Sequence, residues 1–292
     1  MKRANVPTSV EMRGTIENSF IGDYRIISVM KASPLGRVMM AIYFRNFWFR
    51  TCVLKEAIIL DMSLASRTRR ERLSWQFELH KRLAGELPVA SPIGMFESED
   101  AAYLVLDYVK GEILQDAIDR VFIEHSFSAL SKERRSCIIS WLLEIVQIIE
   151  KMHALGYIHR DISASNFIVS KSGQLYLLDM EMAFDFAGQG RSRPLFQGST
   201  PGYSSPQQLR GSRPIVQDDI YAIGALILNG LAHMHPRTAN LKDRGKLIAL
   251  LQKSIGHAEI VKLIVECLDP TPSRRPELSN IKQALSSFKF LV

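Results

Sequence analysis

The twelve residues Ile158 to Val169, IHRDISASNFIV, hold a histidine, an arginine, an aspartate, two serines and an asparagine. Such a concentration suits proton transfer and the binding of a hard cation, because carboxylate and amide oxygens serve both. In order they are His159, Arg160, Asp161 and Asn166, and thirteen residues after Asn166 comes Asp179, at the end of the short apolar run LYLLD. Far upstream, Lys55 sits in CVLKEA, a strand-like run that would otherwise bury its ammonium. An amine, two carboxylates and an amide act together only if the fold gathers them from these distant positions.

The elements that must do so are legible as two regions. From Tyr24 to Ile59 the pattern is strand-like, as YRIISVM, RVMMAIYF and FWFRTCVLKEAII, with turn signals at Ser33-Pro34-Leu35-Gly36 and at Arg45-Asn46. A helix is expected from about Arg69 to Leu83, where Leu79 and Leu83 form an i, i+4 pair and Gly85 follows. PIGMFES and AAYLVLDYV complete a five-stranded antiparallel sheet. After Gly111 apolar residues recur at helical spacing, most clearly in residues 135–155, and Gly156 is the expected stop. The loop quoted above comes next, then a short strand at LYLLDMEMA. A Gly-, Pro- and Ser-rich loop over 184–215 follows, and then helices broken at DPTPSRRP.

Bulk properties set limits. With 292 residues and 47% hydrophobic content, the chain can fill one large domain or two lobes around a cleft. Cys52, Cys137 and Cys267 form no C-x-x-C pair, so they read as core thiols of a reducing compartment rather than a disulfide framework. The start of the sequence has positive charge but no apolar stretch behind it, and fails as a secretory signal. YAIGALILNGLA is too short to cross a bilayer. A cytoplasmic protein with no membrane partner is expected. The formal charge is +7, with a basic cluster at RTRRER (67–72), which is either a solvated helix face or a docking surface for an acidic peptide or nucleic acid; nucleic acid is not the expected partner.

The form H-R-D-x-x-x-x-N, followed by a strand-terminal aspartate and preceded by a strand lysine, resembles the signature set of the eukaryotic-like (Hanks-type) Ser/Thr protein kinases over about Tyr24 to Leu285. The resemblance implies an α+β fold of two lobes, a small one of antiparallel sheet plus one helix and a large, mainly helical one. Its divisions would be a flexible arm over 1–20, the small lobe over 21–106, a hinge over 107–110 and the large lobe over 111–292. It also implies transfer of phosphate from ATP with Mg2+ to Ser or Thr of a protein or peptide. Lys55 would hold the phosphates, Asn166 and Asp179 the magnesium, and Asp161 would orient or accept the proton of the attacking hydroxyl. Gly36 and Val38 would lie against the nucleotide, Leu106 would sit behind the adenine, and the backbone of Asp107 to Val109 would meet it. Three further matches are Thr200 in STPGYSSPQQL, a contact of the catalytic aspartate; Asp219 in DDIYAIGALIL, which holds the catalytic loop's backbone; and Arg275, a structural arginine.

Several positions depart from that pattern. The glycine loop keeps only Gly36, with Lys31 and Ser33 at the first two glycine positions. D-F-G reads Asp179-Met180-Glu181, where Glu181 either ligates magnesium or turns outward. Ser163 replaces the lysine two residues after Asp161, and Gln207 replaces the glutamate that pairs with Arg275, where a hydrogen bond could stand in. Either Gln76 or Glu78 faces Lys55, since two residues on a helix are about 200° apart. The serine after the catalytic aspartate, Glu181, and the stretches VLKEA and RLAGELPVASPIGMFESEDAAYLVLDYVKGEIL are most similar to the kinase domains of class III and IV lanthipeptide synthetases, which phosphorylate a ribosomally made precursor peptide. A stand-alone relative or an excised domain is expected, because no lyase or cyclase domain fits in this length.

Three functions compete. An active Ser/Thr kinase is favoured by the presence of Lys55, Asp161, Asn166 and Asp179. A pseudokinase that binds without turnover is favoured by the eroded glycine loop, Ser163 and Gln207. A small-molecule phosphotransferase of the aminoglycoside type is opposed by Thr200 and the PGYSSP run, a peptide-docking element such enzymes do not need. Ser192 and Ser199 are the candidate acceptors for autophosphorylation, with Arg160 as the phosphate's partner and weak activation expected.

Overall fold

The computed structural model describes residues 19–59, 64–122, 126–188, 197–239, 241 and 243–292. The chain divides into two units, Met1–Val109 and Lys110–Val292. Most of the arm expected over 1–20 lies outside the described residues.

The first unit contains β1 (Phe20–Ile21), β2 (Tyr24–Ser33), β3 (Gly36–Arg45), β4 (Trp48–Ile58), α1 (Leu64–Leu83), β5 (Pro92–Glu97) and β6 (Ala101–Asp107). They form one antiparallel sheet in the order β1-β2-β3-β4-β6-β5. The sixth strand, β1, pairs Phe20 with Arg25; two residues are too few to show any periodicity in sequence. Side-chain alternation gives the sheet two apolar faces. Met39, Ala41 and Tyr43 of β3 join Cys52 and Leu54 of β4 and Val105 of β6 on one. Ala57, Leu104 and Leu106 meet Leu73 and Phe77 of α1 on the other, and each such buried large aliphatic contributes about 1.5–3 kcal/mol. Helix α1 begins five residues before the expected start. Leu64, at its start, is 81% exposed and Arg67 is exposed, so neither joins an apolar stripe that would mark the start in sequence.

The second unit contains β7 (Gly111–Ile113), α2 (Leu114–Val121), α3 (Lys132–Ala154), β8 (Tyr157–Ile158), β9 (Phe167–Ser170), β10 (Leu175–Leu177), β11 (Phe184–Asp185), α4 (Pro206–Leu209), α5 (Val216–Ala232), α6 (Arg244–Ile255), α7 (Ala258–Cys267) and α8 (Leu278–Leu291). Helix α3 buries Ile138, Leu142, Ile145, Ile149 and Met152 at spacings of three and four, and Gly156 follows at φ 88°, a left-handed position where glycine bears no Cβ penalty. Helix α5 is buried on all sides from Asp218 to Leu231, as an almost wholly apolar helix must be. The long loop expected over 184–215 contains β11, paired with β8, and the single turn α4. The fold is the expected α+β class, with a sheet-and-helix unit followed by a mainly helical one. Among the described residues no helix is long and apolar enough to cross a membrane. The three cysteines are free, and Cys52 and Cys267 are buried. Burial pushes the Cys52 thiol up to about 12 and the Cys267 thiol up as well, so both are unreactive at neutral pH.

Candidate active site

In the first unit, β3 and β4 pair Val38 with Lys55 and Met40 with Val53, while β4 and β6 pair Lys55 with Leu104 and Val53 with Leu106. Directly opposed residues share a face, so Val38, Lys55 and Leu106 stand on one side of the sheet, the side that α1 partly covers. Lys55 Nζ donates to Gln76 Oε1 at 2.6 Å, and Gln76 is 1% exposed. Glu78 faces outward, paired with Lys81 at 3.4 Å. The choice between the two is thereby made by helical phase, and it gives Lys55 a neutral partner.

Gly36 has a second task. Ser33 opposes Gly36 across a two-residue turn, and Leu35 O accepts from Ile58 N at 3.0 Å. With φ at 152°, a Cβ on Gly36 would lie 1.9 Å from Glu56 O. The glycine is therefore required for backbone packing on β4, whatever it does toward a phosphate. Lys31 is exposed. Beside the turn, Arg37 makes a two-pronged ion pair with buried Glu56, which also accepts from Tyr103 Oη at 3.2 Å. Asp107 N donates to Ser91 O at 2.9 Å, so only the carbonyl of Asp107 could meet an amino group of a base.

In the second unit the loop after β8 is held from beneath. Asp219, 0% exposed, accepts from His159 N and Arg160 N at 2.8 Å each and from His153 Nε2 at 2.7 Å. Burial alone would raise its pKa, but the His153 bond, two neighbouring imidazoles and the Arg160 amide hold it below the usual aspartate range. That grip sustains Arg160 at φ 67°, which turns the chain so that Asp161 follows. Arg160 is 5% exposed and donates to Met182 O at 3.0 Å; burial lowers its pKa despite three nearby aspartates. Gln208 Nε2 donates to Arg160 O at 2.8 Å and to Gly198 O at 3.2 Å.

Asp161 is presented by its neighbours. Thr200 Oγ1 donates to its Oδ1, and Asn166 Nδ2 donates to its Oδ2 at 2.8 Å and to its carbonyl at 2.7 Å. Strand pairing then brings Asp179 to Asn166: Leu177 opposes Phe167, and one step further Leu178 N donates to Asn166 O at 2.9 Å. Asp179 Oδ1 accepts from Glu181 N at 3.1 Å, and Met180 fills an apolar site at 0% exposure. Ser163, buried, pairs its hydroxyl with that of Ser165 at 2.9 Å. The Gln207 substitution is absorbed by a 2.7 Å bond from Arg275 to Gln207 Oε1, while the same guanidinium holds Asp269 O and Gln217 O.

The structure thus brings Asp161, Asn166, Asp179 and Thr200 together in one unit, and sets Gly36, Val38, Lys55 and Leu106 on one sheet face of the other. Sequence reading overlooked His153 and Gln208. Its one available signal for His153 was a histidine in the last turn of α3, six residues before His159. Ser199 is exposed, whereas Ser192 lies outside the described residues.

A sheet-and-helix unit followed by a helical unit, with a braced His-Arg-Asp loop beside an Asn/Asp pair, defines a protein kinase domain. The sequence matches the protein kinase domain family over residues 63–287, and the chain belongs to that family. It is similar to the Probable serine/threonine-protein kinase PknB of Lactococcus lactis, 30% identical over 176 residues, 60% of this chain and 26% of that protein. It is also similar to the Probable serine/threonine-protein kinase CCRP1 of Zea mays (25% over 238 residues, 79% and 36%) and to Serine/threonine-protein kinase PLK2 of Mus musculus (25% over 228 residues, 77% and 32%). The chain spans between 26% and 36% of the length of these relatives.

Proposed function

We propose that this chain transfers the γ-phosphoryl group of ATP, in the presence of Mg2+, to Ser or Thr hydroxyls of a protein or peptide. The observation that supports it most is the presentation of Asp161, whose two carboxylate oxygens are fixed by Thr200 and Asn166 while lone pairs remain for a substrate hydroxyl. Asp161 orients that hydroxyl and takes its proton as the new oxygen–phosphorus bond forms and ADP leaves. The donor set fits magnesium: Asn166 turns its Nδ2 to Asp161, which leaves Oδ1 as its ligand atom, and Asp179 supplies a carboxylate. Magnesium, when bound, supplies neutralisation of the phosphate charge. Lys55 adds an ammonium that Gln76 Oε1 holds in place. In this reading Gly36 and Val38 lie against the nucleotide, Leu106 sits behind the adenine, the backbone of Asp107 to Val109 meets its edge, and residues 107–110 join the two lobes.

A narrower form of the proposal, a ribosomally made precursor peptide as acceptor, rests on the resemblance of Ser163 and Glu181 to lanthipeptide synthetase kinase domains. The test is transfer of labelled phosphate to the chain itself, to a generic peptide and to short precursor peptides, with Asp161→Asn as control. Transfer by wild type alone is expected; equal transfer by Asp161→Asn would refute the reading. A pseudokinase reading has its own support in Gly36 wedged against Glu56 O and in Ser163 spent on Ser165. It predicts that ATP with Mg2+ raises Tm while no phosphate moves.

A further inference from the structure

The hairpin joining β3 to β4 ends in Phe44-Arg45-Asn46-Phe47-Trp48-Phe49-Arg50. Arg45 pairs with Trp48, so Asn46 and Phe47 alone make the turn, at φ 51° and 65°. Two positive φ values mark a type I′ turn, whose second position is ordinarily glycine because a bulky side chain is disfavoured there. Phe47 occupies it and is 90% exposed, beside Trp48 at 75%, Phe49 at 74% and Phe44 at 60%. A ring is held in water on a backbone that resists it, and neither core packing nor turn chemistry accounts for that.

The rings point around the tip. Phe44 opposes Phe49, with centroids 5.2 Å apart, on the sheet face of Lys55. Trp48 opposes Arg45 on the other face, with Tyr43 and Arg50, and Phe47 stands at the apex. A rigid partner pressed on one face would leave the other wet, whereas a fluid interfacial layer closes around all four rings. Charge agrees: Arg45 and Arg50 are exposed and no acidic residue lies among these seven.

We propose that this tip is a membrane-surface anchor, seating its rings at the headgroup boundary of an anionic bilayer with Arg45 and Arg50 on lipid phosphates. It needs no membrane-crossing helix, and it stands independently of the phosphotransfer reading. The test is sedimentation of the full chain with vesicles of phosphatidylcholine, with and without phosphatidylserine. Wild type is expected to bind the serine-lipid vesicles, less so in high salt, with a blue shift of tryptophan emission. Trp48→Phe should bind but lose the shift, since the other two tryptophans, Trp75 and Trp141, lie outside the tip. Phe47→Gly, which suits the turn, with Phe49→Ser should weaken binding about a hundredfold, about tenfold per ring, at unchanged circular dichroism; if the pair unfolds, Phe47→Gly alone decides. Arg45→Gln with Arg50→Gln should erase the preference for serine lipid. Failure of wild type to bind either vesicle, equal binding by the ring variants, or a wild-type dimer that those variants dissolve would overturn the proposal, the last by giving the tip to a second copy.

Discussion

Removing the Asp219 carboxylate should unfasten the loop from His159 to Asp161, and the cost follows from its contacts. Its Oδ2 takes two donors and its Oδ1 one, all within 2.8 Å, at a site with 0% exposure. In Asp219→Ala the amides of His159 and Arg160 lose their acceptor in a dry environment, at about 1–3 kcal/mol each, and His153 loses its partner. A destabilisation of about 3–5 kcal/mol follows. In Asp219→Asn one oxygen remains, but an NH2 group faces a donor and every bond loses its charge assistance, for about 2–3 kcal/mol. The pH dependence has a definite sign. Because the folded state holds this carboxyl below its ordinary range, its contribution is full above the unfolded value near 4 and fades as pH falls through the lower folded value. The gap between wild type and Asp219→Asn should therefore narrow in acid. Urea unfolding of the three proteins at neutral and acid pH measures this. An Asp219→Ala cost under about 1 kcal/mol, or a gap that widens in acid, would refute the reasoning.

Other substitutions separate packing from chemistry. Gly36→Ala, driven into Glu56 O, should lower the urea midpoint by an amount equivalent to about 2–3 kcal/mol; a loss of ATP affinity at unchanged stability would show that phosphate approach alone is what the glycine serves. Arg275→Ala strips a donor from Gln207 Oε1, Gln217 O and Asp269 O and should cost about 3 kcal/mol, whereas Gln207→Glu, which keeps the acceptor for Arg275 but loses the Nε2 donor to Pro270 O, should cost about 1 kcal/mol; thermal melts compare them. Thr200→Val should slow phosphate transfer about tenfold or more with ATP affinity unchanged, and Thr200→Ser should restore it, as read by steady-state kinetics.

The parts legible in sequence were those with local spacing. The loop from His159 to Asn166, the strand alternation around Lys55 and the Gly156 stop all announce themselves within a few residues. What stayed hidden depends on long-range register or phase. Lys55 meets Gln76 rather than Glu78 because of how α1 is turned on the sheet, which spacing alone left open. Asp219 and His153 are 66 residues apart, and the fold alone supplies their contact. Gly36 read as the remnant of a phosphate loop, while a Cβ there would run into a backbone carbonyl of β4, visible only once the hairpin is placed. The aromatic tip escaped for another reason: one ring on a two-residue turn and three on the flanking strand ends form no long apolar helix.

In the proposed reaction Asp161 orients the attacking hydroxyl and takes its proton, and it does not itself bind the nucleotide. The most direct measurement pairs calorimetric ATP–Mg2+ binding with single-turnover phosphate transfer for wild type and Asp161→Asn. The account predicts similar affinities and a transfer rate lower by about 10²–10⁴ in the variant. Equal rates in both proteins, or no heat of binding in either, would contradict it.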